Sequence, residues 1–133
     1  MPHPLNACLL VGAGGLAGSV ARYGLSLAAQ RYALDWPAGT LAANALGCFA
    51  VGLLAEAAAR GSGPSPEMRL LLATGFCGGF TTLSTLVYET AQMLKSGDPF
   101  HASFYFTGTL GASAAAFLAG LFLIKLLQKS AGV

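Results

Sequence analysis

Apolar residues run through this chain in four long blocks, about Leu5–Ala29, Thr40–Ala59, Arg69–Leu94 and Ala102–Leu127. Each reaches the roughly 20 residues that a helix needs to cross a bilayer. Between them lie short polar connectors, Gln30–Pro37, Arg60–Glu67 and Lys95–Pro99, punctuated by Gly or Pro as turns require. Tyr32 and Trp36 fall where aromatic side chains settle at a membrane–water boundary. No basic flank precedes the first block, which is therefore expected to be a retained span rather than a cleaved leader. No connector is long enough to separate domains. The pattern predicts one four-span unit over residues 1–133, an all-α integral membrane protein.

The third block is apolar at its start and then changes character. Thr74-Gly75-Phe76-Cys77-Gly78-Gly79-Phe80-Thr81-Thr82-Leu83-Ser84-Thr85 is rich in glycine and hydroxyls. Such a run cannot hold a regular helix easily, and irregular backbone at membrane depth is tolerated only where protein or trapped water satisfies it. A helix broken in mid-membrane is expected here. Beyond the break, a period of 3.6 residues gathers Thr81, Ser84, Thr85, Tyr88, Glu89 and Gln92 on one side. Leu83, Leu86, Val87, Ala91, Met93 and Leu94 gather on the other, with Thr90 as the polar exception. A polar stripe facing lipid is costly, so it is expected to face protein or a water-filled path. An interhelical hydrogen-bond seam is the plainer reading and an ion pathway the sharper one. Hydroxyl and amide donors can replace the water shell of a small ion, and a helix break frees backbone N–H and C=O groups. These residues leave the sign of that ion open.

Composition supports the span reading. Only 9% of the residues are charged and 55% are hydrophobic. Val and Ile together number six against 18 glycines, which disfavours a buried sheet. A net charge of +2, spread thinly, excludes a nucleic-acid surface. With four spans, Arg60, Arg69, Lys125 and Lys129 fall on one side of the membrane and Arg22, Arg31 and Lys95 on the other. That balance gives the positive-inside rule little to act on, so a single orientation and a dual one both remain open. Gly14 with Gly18, and Gly108 with Ala112, stand at helix-packing spacing. Four short helices with a break have little interior of their own, so a homo-oligomer is expected.

The remaining chemistry is sparse. Cys8, Cys48 and Cys77 lie in separate blocks without metal-ligand spacing and are expected to be buried packing residues. Gly12-Ala13-Gly14-Gly15-Leu16-Ala17 with Asp35 imitates a dinucleotide fingerprint, but the strand–helix–strand frame it needs is missing. Asn44 is either an interhelical anchor or a pathway donor. Arg22 lies near a helix end, where snorkelling is the plain reading and an anion-attracting vestibule the alternative. Glu56 and Arg60 are spaced for an ion pair. Glu89, on the stripe, suits a functional or gating role. His3 and His101 flank spans as isolated surface residues. No Ser–His or His–carboxylate set supports an enzyme.

Gly75-Phe76-Cys77-Gly78-Gly79-Phe80-Thr81-Thr82-Leu83-Ser84-Thr85-Leu86 resembles the third-helix signature of the CrcB, or Fluc, fluoride channels. The likeness extends to Gly15–Tyr23 in the first block, to Gly39–Phe49 in the second, and to Glu89 after the break. It covers nearly the whole chain. It implies a dual-topology, antiparallel homodimer in a bacterial plasma (inner) membrane, with two narrow pathways exporting fluoride passively. It also implies a structural sodium ion at the dimer centre, held by the main-chain carbonyls of Gly78 and Thr81. By the same resemblance Asn44 is a pore donor, Ser84 and Thr85 form a hydroxyl track, and Arg22 faces the vestibule. Glu89 and Tyr105 line the far end, and Phe80, Leu83, Leu86 and Tyr88 belong to the ion pathway.

One departure stands out. The family usually reads Thr-Thr-Phe-Ser-Thr-Phe, with two phenyl rings whose electropositive edges can face an anion. Here both positions are leucine, Leu83 and Leu86. Two rival readings therefore stay open. A small four-helix multidrug antiporter would need an acidic residue deep in its first span, and this one has none. A non-conducting structural subunit of a two-subunit channel fits the leucines.

Overall fold

In a computed structural model, residues 2–32 and 37–130 are described; Asp35 and Trp36 lie outside them. The described residues form helices and short connectors, with no strand among them. Helix α1 runs Pro4–Arg31 and α2 runs Ala38–Ala59. The third span opens with the short α3 (Pro66–Arg69), winds as a π-helix over Leu70–Cys77, and returns to α geometry in α4 (Gly78–Phe80). After two extended residues it resumes as α5 (Leu83–Lys95), and α6 spans Pro99–Ser130. Four helical segments, Pro4–Arg31, Ala38–Ala59, Pro66–Lys95 and Pro99–Ser130, are long and apolar enough to cross a membrane. They extend a few residues beyond the hydropathy blocks, because capping residues outside the apolar run complete the end turns.

Local chemistry accounts for those ends. Pro4, Pro66 and Pro99 open their helices, where the missing N–H is harmless. Ser65 accepts from the Met68 N–H at 3.3 Å, and Asp98 accepts from the His101 N–H at 3.1 Å. That backbone bond, with help from the His101 ring 2.7 Å away, holds the Asp98 carboxyl below the usual carboxylate range. His101 is thus on the surface, as expected, but paired rather than isolated. Gly61 and Gly97 turn two connectors with positive φ, +71° and +82°. Glu56 and Arg60 form the expected pair at 2.7 Å.

Packing joins α1 to the third span and α2 to α6. The first seam is backbone against backbone: a Cβ on Gly14 would meet the Leu71 carbonyl, and one on Gly18 the Phe76 carbonyl. The second seam is similar, with Gly52 against the Phe117 carbonyl and Gly120 against the Phe49 carbonyl. Such close approach increases dispersion contact where lipid removes any hydrophobic drive between helices. Gly108 and Ala112 form no such seam within the chain, where a Cβ on Gly108 would meet nothing within 4 Å. The close contact of α6 lies further along, where α2 crosses it. Cys77 is buried, but Cys8 is exposed, contrary to expectation. It stands on the open side of α1 with Leu5 and Leu9, a surface suited to lipid or another apolar partner.

Candidate functional site

The third span changes direction at Thr81 and Thr82, whose backbones are extended (φ −83°, ψ 157° and φ −155°, ψ 121°). The last helical bond before them runs from the Thr81 N–H to the Cys77 carbonyl at 2.9 Å, and the Thr81 hydroxyl reaches that same carbonyl at 2.9 Å. In a continuous helix the next N–H, that of Thr82, would bond to Gly78. It donates instead to Asn44 Oδ1 at 2.7 Å, while Asn44 Nδ2 donates to the Thr82 carbonyl at 3.0 Å. One buried side chain therefore satisfies both backbone groups of one residue, which is how backbone irregularity survives without water.

The restart of the helix has the same logic. Thr82 is the N-cap of α5: its hydroxyl oxygen accepts from the Thr85 N–H at 3.2 Å. In a continuous helix that N–H would have bonded to Thr81. Thus the carbonyls of Gly78 and Thr81 both lose the donors that α geometry would bring. The Thr82 hydroxyl also donates to Thr85 Oγ1 at 3.0 Å and lies 3.3 Å from Ser84 Oγ. With those bonds made, the Thr85 O–H and the second Asn44 amide N–H are donors with no acceptor among them. Both point to the chemistry an anion requires.

Below the break, Glu89 joins three helices. Its carboxylate accepts from Thr40 Oγ1 of α2 at 3.0 Å and from the Tyr105 hydroxyl of α6 at 2.7 Å. Tyr105 is fully buried, at 0% exposure. A face of α2, read downward as Thr40, Asn44 and Gly47, thus meets Glu89, Thr82 and Thr81 in turn.

The polar stripe of α5 divides. Thr85 and Glu89 face the bundle, whereas Ser84 and Tyr88 are exposed in the single chain. Gln92 is exposed as well. The two leucines also part company: Leu86 is 1% exposed and Leu83 is 62% exposed. Phe80 stacks on Phe76, with ring centroids 5.6 Å apart. Arg22 is not at a helix end. It lies nine residues before the α1 terminus at Arg31, about 13 Å along the axis, and its Nε donates to the Gly79 carbonyl at 3.2 Å. Snorkelling is thereby corrected: its group is turned toward the break.

Two participants escaped the sequence reading. Thr82 was visible only as part of the hydroxyl run, because its role as cap and clamp depends on where the helix stops. Thr40 sits one turn before Asn44 on the same face of α2, and that i, i+4 spacing was the available signal.

Four membrane-length helices around a polar interruption define a small multi-pass membrane protein. A family model described as CrcB-like protein, Camphor Resistance (CrcB), matches residues 9–121. The chain belongs to that family. It is similar to the fluoride-specific ion channel FluC of Chlorobaculum tepidum, 49% identical over 120 residues, covering 90% of this chain and 95% of the relative. The FluC of Phenylobacterium zucineum is 46% identical over 123 residues, covering 91% and 97%. That of Chlorobium phaeobacteroides strain BS1 is 43% identical over 126 residues, covering 95% and 98%.

Proposed function

We propose that this protein is a fluoride-selective ion channel, not an enzyme, that lets fluoride leave a bacterial cytoplasm down its gradient. The observation that carries the reading is the paired commitment of Asn44 and Thr82. It spends one hydrogen of the Asn44 amide on holding the break and leaves the other, with the Thr85 hydroxyl, to meet an anion. Fixed neutral donors suit a small ion that must shed water and then move on, whereas a lysine or arginine in the path would trap it. Ser84, on the open side of α5, extends the hydroxyl track. Glu89 and Tyr105 stand at its far end, and the names of the relatives give the halide.

The working unit in this reading is an antiparallel homodimer inserted in both orientations in the plasma (inner) membrane. Near-balanced basic residues on the two sides support dual insertion. The exposed Ser84, Tyr88 and Leu83 support a second copy, because hydroxyls left against lipid would be costly. The carbonyls of Gly78 and Thr81 fit a sodium ion: both are oxygen ligands deprived of their helical donors, and Asn44 and Thr82 keep them so. Sodium there would neutralise the carbonyl end of the broken helix and hold two copies together.

The test is purified protein in liposomes with a fluoride electrode. Rapid fluoride release with chloride retained is expected; equal release of the two halides would sink the reading. Single reporter cysteines in the Gly61 and Gly97 connectors, on opposite membrane faces, test orientation. Both should label from outside intact cells, and labelling of one face alone would refute dual insertion.

A further inference from the structure

Arg22 is the cation that approaches the break, and its bond is made by Nε rather than by a terminal nitrogen. That choice matters, because Nε carries a single N–H in the plane of the guanidinium. Fixing it fixes the whole plane. The acceptor, the Gly79 carbonyl, belongs to the C-terminal end of α4, where unpaired carbonyls concentrate negative potential. The face of α1 that carries Arg22 also carries Gly15 and Gly18, at 3.6-residue spacing. Gly15 lies so close that a Cβ on Gly79 would meet its carbonyl at 2.5 Å, and Gly18 is pressed against the Phe80 amide. Helix α1 thus holds α4 by shape on one side of Gly79 and by a charge-assisted bond on the other. Asn44 holds the next peptides from α2.

We infer that Arg22 is a positioning residue for the break: its Nε–H···O=C bond to Gly79 sets the orientation of the end of α4, and with it the carbonyls of Gly78 and Thr81. Its role is geometric rather than that of a general positive charge attracting anions from solution. The inference rests on the channel reading only for its consequence on flux; the bond and its effect on α4 stand apart from it. A lysine would supply the charge but not the planar fork.

The experiment joins a transport measurement to a direct view of Gly79. Gly-Phe pairs occur at Gly75–Phe76 and Gly79–Phe80. Protein labelled with 13C at glycine carbonyls and 15N at phenylalanine therefore gives one resonance for each, with Gly75 as internal control. Arg22→Lys should shift the Gly79 carbonyl resonance upfield and leave Gly75 in place. In assembled protein, Arg22→Lys and Arg22→Ala should both lower fluoride flux about tenfold or more, at low and high ionic strength alike. An unmoved Gly79 resonance, or a lysine variant with full flux, would overturn the proposal. If wild-type protein carries no fluoride while Gly79 still shifts, the channel reading fails and the positioning role survives. Should Arg22→Lys fail to assemble, hydrogen exchange at the wild-type arginine Nε–H groups decides. Arg22 should exchange far more slowly than the exposed Arg31, and equal rates would refute the bond.

Discussion

Replacing Asn44 with alanine removes two hydrogen bonds, at 2.7 Å and 3.0 Å, from the backbone of a single residue, Thr82. Asn44 is buried, so water does not replace them freely. Each backbone group left unpaired costs about 1–3 kcal/mol, giving about 2–6 kcal/mol if nothing relaxes. Relaxation has an obvious direction. The Thr82 N–H regains its ordinary partner, the Gly78 carbonyl, if the break heals toward continuous helix. That recovers roughly half the loss, leaving about 1–3 kcal/mol, and it withdraws Gly78 from any bound cation. At about 1.4 kcal/mol per tenfold, transport should fall by roughly tenfold to a hundredfold. Asn44→Asp keeps the acceptor for the Thr82 N–H but sets oxygen against the Thr82 carbonyl, so it should not rescue. Fluoride efflux from liposomes and unfolding in denaturing detergent measure both consequences on the same preparations. An Asn44→Ala protein with flux within about twofold of wild type and unchanged stability would show that the clamp is dispensable and that the reasoning is wrong.

The leucines should separate. Leu86→Phe enlarges a side chain that is 1% exposed and should destabilise the fold by about 1–3 kcal/mol. Leu83→Phe, at a position 62% exposed within the chain, should fold normally and raise flux if an aromatic edge assists the anion; equal stability losses would refute the distinction. Two glycines of α1 should give opposite signs under thermal unfolding. Gly14→Ala drives a methyl onto the Leu71 carbonyl and to 2.8 Å from the Phe76 amide nitrogen, and should destabilise the protein. Gly12→Ala meets nothing within 4 Å and should stabilise it by about 0.5–1 kcal/mol through helix propensity; matching shifts in the two variants would contradict the seam.

Hydropathy alone determined that this chain makes four membrane-length helices, since the length of an apolar run is a local property and the bilayer sets the threshold. The glycine and hydroxyl run announced a special segment in the third, and the 3.6-residue period put Thr85 and Glu89 on one face. Which polar groups turn inward was not local. Ser84 and Tyr88 share the stripe yet stay open, because α2 and α6 cover only the side bearing Thr85 and Glu89. Gly14 and Gly108 look alike in the sequence, but within the folded chain only the first lies where another backbone arrives. Arg22 seemed to belong to a helix end until α1 proved longer and α4 was found beside it. Hydrogen bonds between residues 38 to 57 positions apart, Asn44 with Thr82 and Arg22 with Gly79, decide where the third helix stops. A sequence lists donors and acceptors; the packing of the helices chooses their partners.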